Sequence, residues 1–224
     1  MSLKDRYESV CSTLVGQTRL LCVSKTKPGS MIKDLYRLGH RDFAENKVQE
    51  LVQKSEELKE LSEIRWHFIG SLQTNKLNAL LGVQNLVAIH SIDRDSLLEK
   101  ILKKELARPL DLFIQVNTSG EKEKGGFETY EDVLLAARRI NESKSFLLKG
   151  LMTIGRIRTD DFENQARESF RLLRDLKMQL EKSMQTRVEL SMGMSSDYSI
   201  AMEVGSDWVR VGSSIFGARD KLKK

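Results

Sequence analysis

Short apolar runs alternate with longer amphipathic stretches along most of this chain. The runs fall at residues 19–23, 41–45, 66–70, 86–92, 111–116, 148–154, 188–192 and 207–211. Most are apolar almost throughout rather than alternating, as in parallel strands covered on both faces. Between them the apolar positions recur at helical spacing. The pattern predicts helices over residues 30–38, 46–61, 75–81, 95–107, 129–140, 161–184 and 196–204, after a leading helix over 3–14. Gly39, Gly82 and Gly205 stand where three of them should stop. Strands separated by helices predict an α/β fold, and eight of them favour a single (β/α)8 TIM barrel, with an open doubly wound sheet as the alternative. The whole of residues 1–224 is expected to form one barrel domain. In a barrel, functional groups belong at the C-terminal ends of strands, and phosphates favour the loops after the seventh and eighth.

Composition narrows the class. The chain is 40% hydrophobic and 31% charged, which suits a globular protein with a large core. Its net charge of +5 comes from mixed signs, with no basic block interleaved with aromatics, so nucleic acid is not an expected partner. The final KLKK reads as a solvated tail. Cys11 and Cys22 form no framework, and no Cys/His cluster has metal-ligand spacing, so no metal is expected. The N-terminus carries charges where a signal peptide needs an apolar core, and no run is long enough to span a bilayer. The expected location is cytoplasmic, with no membrane partner.

The chemistry concentrates at strand ends. VSKTKPG puts Lys25 where the first strand opens into a loop. Partial burial disfavours an ammonium ion, and a neutral amine attacks carbonyls to give a Schiff base. A strand-end lysine reaching for water is the plain alternative. The seventh strand runs into SMGMSSD and the eighth carries VRVGSS. Ser195 and Ser196 at a helix entry, with Gly212 and Ser213, offer hydroxyls and backbone N–H groups to a phosphate. Alternatively a serine caps the helix and Gly212 is a packing glycine. Arg210 lies inside an apolar strand, on the same face as Gly212, and cannot shed its charge. It needs either an ion-pair partner or a ligand. Asn46, at the end of FAEN, is a ligand donor or a helix cap. His67 and His90 read as satisfied core residues, and His40 as a surface one. A Schiff-base lysine opposite a phosphate cradle asks for a phosphorylated aldehyde; both pyridoxal 5′-phosphate (PLP) and an aldolase's phosphosugar fit.

LLCVSKTKP, FAENKVQE, WHFIGSLQTNK, HSID, GLMTI, LSMGMSSD and VRVGSSIFGARD, in that order, resemble the pyridoxal phosphate homeostasis protein family, also called the YggS/PROSC family. The likeness spans residues 20–220. It implies a barrel similar to the N-terminal domain of alanine racemase, with PLP as cofactor and a part in intracellular vitamin B6 balance. It assigns Lys25 as the Schiff-base lysine, holding PLP as an aldimine. It places Asn46 near the ring substituents, Met194 in the pocket, Ser195, Gly212 and Ser213 on the phosphate, and Arg210 against the pyridine nitrogen. Ala44 stands where the family usually has glycine, and Lys47 where an aromatic residue is common; both put the course of the Asn46 loop in question.

The resemblance also implies a protein without established catalysis. A fixed cation at the ring nitrogen makes the ring a poorer electron sink. Racemases of similar fold use a tyrosine from a further domain and subunit, for which this chain leaves no room. Tyr7, Tyr36, Tyr130 and Tyr198 are not obvious substitutes, although Tyr198 is near the phosphate loop. The expected function is holding PLP for homeostasis as a monomer, with PLP-dependent apoenzymes as recipients. An amino-acid racemase is the alternative. Lys76 and Lys124 read as surface lysines, with secondary aldehyde or phosphate contact as the other option.

Overall fold

The computed structural model of the chain describes residues 1–155 and 161–218, the side chain of Lys122 excepted. Among these residues eight strands pair in parallel, each with the next: β1 (Arg19–Val23), β2 (Asp42–Glu45), β3 (Arg65–Phe68), β4 (Leu86–Ile92), β5 (Leu110–Gln115), β6 (Phe146–Met152), β7 (Glu189–Met194) and β8 (Trp208–Val211). β1 also pairs with β8, so the barrel closes and the open sheet is excluded. The helices are α1 (Leu3–Thr13), α2 (Gly29–Arg37), α3 (Val48–Glu57), α4 (Leu77–Leu81), α5 (Asp95–Leu102), α6 (Tyr130–Asn141), α7 (Phe162–Met184), α8 (Tyr198–Val204) and α9 (Ser213–Phe216). The KLKK tail lies outside the described residues.

Local chemistry explains the boundaries. Ser2 and Asp5 form a capping box on α1. Pro28 precedes α2, and the chain leaves it at Gly39 with φ 93°. α3 begins two residues later than its pattern suggests, because the Asn46 backbone packs on Gly70, where a Cβ would lie 2.0 Å from the Asn46 carbonyl oxygen. α9 carries too few residues to show a period. His40 is a correction: it is buried, with Nε2 2.7 Å from the Asp42 carbonyl oxygen, and its ring meets Tyr7 and Phe43 edge-on.

Two cores hold the fold. The larger lies between helices and sheet; α7, for example, buries Ala166, Phe170, Leu173 and Leu180 on one face. Each large side chain there contributes about 1.5–3 kcal/mol. The smaller fills the barrel with Leu21, Val23, Ala44, Ala88, Phe113, Met152 and Trp208. The N-terminal mouth of the barrel is closed by ions. Arg19 and Lys149 both reach Glu189 (2.5 and 3.2 Å), Arg65 pairs with Asp42 (2.5 Å), and Arg19 covers the Trp208 ring at 4.0 Å. Packing inside is tight at Gly150, where a Cβ would lie 2.1 Å from the Glu189 carbonyl oxygen and 2.7 Å from the Phe113 ring. Gly150→Ala is expected to destabilise the fold by about 2–3 kcal/mol. Urea unfolding reads this as a lower midpoint at unchanged slope.

Candidate functional site

Alternation along β1 turns Leu21 and Val23 into the barrel, and Lys25 follows on the same side, half-buried at the C-terminal mouth. The turn that carries it is strained. Thr26 has φ 65°, a left-handed conformation that costs about 1–2 kcal/mol outside glycine. Its N–H donates to Glu50 Oε1 at 2.5 Å, and the Lys27 N–H closes the turn on the Ser24 carbonyl at 3.0 Å. Beneath lies Lys54 on α3, buried, whose Nζ donates to the Ser24 carbonyl (2.8 Å), Glu45 Oε1 (2.7 Å) and Glu50 Oε1 (2.7 Å). Ser24 Oγ also donates to Glu45 Oε1. Glu45 is fully buried and its Oε2 has no hydrogen-bond partner among the described residues. Burial pushes its carboxyl up to about 7, against the opposing pull of Lys54 and Ser24.

Lys25 opens onto a cavity of about 450 Å³ at the strand ends. Met194, Ser195, Arg210, Gly212 and Ser213 line it as well, so six of the seven residues singled out from the sequence converge. Ser196, read from the sequence beside Ser195, lines it too, and the structure adds Val23, Lys27, Ile69, Phe216 and Gly217. Lys27, two residues beyond Lys25, sends its Nζ to the Ala218 carbonyl at 2.7 Å. Ser195 does not cap α8. That helix starts at Tyr198, since Asp197 turns back to accept the Met194 N–H at 2.5 Å. Ser195 Oγ instead accepts the N–H groups of Gly212 (3.2 Å) and Ser214 (3.4 Å), joining the two loops. Gly193, at φ 91°, permits the approach of α8: a Cβ there would lie 2.5 Å from that of Ala201.

Arg210 is buried and forms no ion pair with a carboxylate among the described residues. Its Nη1 donates to Ser191 Oγ (2.9 Å) and its Nη2 to the Thr153 carbonyl (2.8 Å). Burial pulls its pKa down to about 10, with Asp197 acting in the other direction. A guanidinium in that setting is an unspent donor.

Asn46 does not join this cavity. It lines a neighbouring one of about 240 Å³ with Lys47, Ser71, Gln73 and Lys76, and it makes no side-chain cap on α3. Lys124 Nζ donates to the Gly155 carbonyl (2.7 Å) and pairs with Glu121. None of the four tyrosines lines the main cavity; Tyr198 OH accepts from Thr13 on α1 instead.

The family described as alanine racemase, N-terminal domain, matches residues 1–220. A Schizosaccharomyces pombe protein named pyridoxal phosphate homeostasis protein is 43% identical over 206 residues, 91% of this chain and 85% of that protein. The chain belongs to the pyridoxal phosphate homeostasis protein family. A solved structure of PipY from Synechococcus elongatus PCC7942, with PLP bound, superposes with a TM-score of 0.86 at 31% identity, covering 96% of this chain and all (100%) of that one. Alanine racemase from E. faecalis shares the fold, with a TM-score of 0.76 at 17% identity; the chain covers 57% of it. Within the pyridoxal phosphate homeostasis protein family, then, the barrel expected from strand spacing is the observed architecture.

Proposed function

We propose that this chain binds PLP through Lys25 and serves intracellular PLP homeostasis. The observation that carries the reading is one cavity shared by an amine, a phosphate-sized cradle and a buried guanidinium. Its volume suits a small cofactor. Lys25 would hold the cofactor through its Nζ, a nucleophilic amine facing the place where the aldehyde would lie. Ser195, Gly212 and Ser213 would hold the phosphate, Arg210 would meet the ring nitrogen, and Met194 would pack against the ring. Asn46, at the end of β2, would approach the ring substituents. The PLP supplies an aldehyde that is reactive in free solution, and a closed barrel with a single reactive amine keeps it from other nucleophiles.

Holding rather than turnover is supported by the lining. Besides Lys25 its one other basic amine is Lys27, already engaged by the Ala218 carbonyl, and no tyrosine faces the cavity among the described residues. A racemase needs two acid–base groups, one on each face of the substrate. We further infer that residues 1–224 act as one cytoplasmic domain, monomeric, with PLP-dependent apoenzymes as recipients. Among the described residues no helix is long and apolar enough to cross a membrane.

Protein given PLP is expected to turn yellow, and borohydride should fix one pyridoxyl group on the peptide containing Lys25. Protein that stays colourless in excess PLP refutes the reading. Single-enantiomer amino acids should keep their optical purity; racemisation lost in Lys25→Ala would establish an enzyme instead.

A further inference from the structure

His67 and His90 occupy the barrel interior behind the cavity, and each satisfies the other. His67 Nδ1 lies 3.0 Å from His90 Nε2, and His67 Nε2 lies 3.1 Å from Asp42 Oδ1. His90 Nδ1 lies 2.9 Å from Ser191 Oγ, the same oxygen that accepts from Arg210 Nη1. The line therefore crosses the barrel from the charged floor, where Arg65 grips Asp42 with two bonds, to the guanidinium under the cavity. His90 and Ser191 are 0% exposed and His67 3%. Phe113 stacks on His90 at 4.1 Å and Trp208 sits 5.1 Å from His67, so neither ring is free to turn over.

The two ends set the direction of the hydrogens. Burial pushes the Asp42 carboxyl up, but bonds from Arg65 and His67 outweigh it and hold it well below the usual carboxylate range. A carboxylate only accepts, so His67 Nε2 carries a hydrogen. A guanidinium only donates, so Ser191 Oγ accepts at the other end. Burial, with His67, Arg210 and Arg19 nearby, pushes His90 well below the usual imidazole range and keeps it neutral. With one hydrogen on each ring a single order remains. Ser191 O–H donates to His90 Nδ1, His90 Nε2–H to His67 Nδ1, and His67 Nε2–H to Asp42. The rival order requires an added proton on His67 and leaves the Ser191 hydrogen without its acceptor.

We propose that Asp42, His67, His90 and Ser191 are positioning residues that aim Arg210 at the bound ring. A serine hydroxyl left to itself rotates. Here His90 claims its single hydrogen, so a lone pair faces Arg210 at all times. Among the described residues Arg210 makes no ion pair with a carboxylate, Asp197 acting on it only through its field, and this line fixes the direction of its Nη1. The proposal rests on the PLP reading of the cavity and assigns a second layer of residues to it.

Nitrogen NMR of isotopically labelled, PLP-free protein at neutral pH tests the order directly. Both rings should be neutral with the hydrogen on Nε2; an imidazolium at His67, or a hydrogen on His90 Nδ1, overturns it. In PLP-loaded protein, Ser191→Ala and Asp42→Asn should each weaken PLP about tenfold. They should also shift the absorbance maximum of the bound cofactor, while borohydride still labels Lys25. Folded variants with native affinity and spectrum would reduce the line to packing and overturn the proposal. Native protein that takes up no PLP removes the target the line was given, whereas the NMR result stands independently of PLP.

Discussion

Lys25→Ala is expected to lose PLP by at least about 100-fold, equivalent to roughly 2.7 kcal/mol. On the proposed reading the covalent link goes, and only phosphate and ring contacts remain. Folding should hardly notice. Lys25 is half-buried at the cavity mouth, and such substitutions shift stability by about 0.5 kcal/mol or less. Thermal unfolding separates the two effects. Without PLP, the variant and the native chain should melt together; with saturating PLP, only the native chain should gain stability. A variant that keeps the native PLP-induced shift would remove Lys25 from the site.

Lys54→Met carries the largest expected effect on stability. Removing one partner of a buried pair leaves an uncompensated charge, at a cost of about 3–5 kcal/mol. Here the stranded group is Glu45, and pH decides how much is felt. Its folded pKa, about 7, lies above the ordinary 4.5. Between those values the folded chain binds more protons than the unfolded one. The Glu45 contribution is therefore complete below the ordinary value and is lost as pH rises through 7, by up to about 3 kcal/mol. Lys54 is the main group opposing this, so its removal pushes the carboxyl higher still. The deficit of Lys54→Met relative to the native chain should widen as pH climbs past 7, and Glu45→Gln added to it should restore part of the loss. A deficit that is the same at every pH would show that Glu45 is not the group responsible. PLP affinity should fall too, because Lys54 and Glu50 brace the Ser24–Lys27 turn.

The readable parts of the sequence were those governed by local rules. Apolar runs placed all eight strands to within a few residues, because a strand covered on both faces writes its burial into consecutive positions. Two-residue alternation put Arg210 and Gly212 on one face, and the loop chemistry placed Ser195. What was hidden depends on pairs distant in the chain. Lys54 on an amphipathic helix has the look of a solvated lysine, yet it is buried by Glu45 from the preceding strand. His67 and His90 belong to adjoining strands with a register shift between them, so no spacing rule announces their bond. His40 follows a helix-stopping glycine, a surface signal, but the chain folds it under α1 against Tyr7. Asn46, read from its strand end and from the resemblance, lies in the second cavity, where its backbone seats closely on Gly70.

The ionic floor formed by Arg19, Asp42, Arg65, Lys149 and Glu189 makes the barrel a cul-de-sac. Whatever occupies the far end has one doorway for arrival and departure.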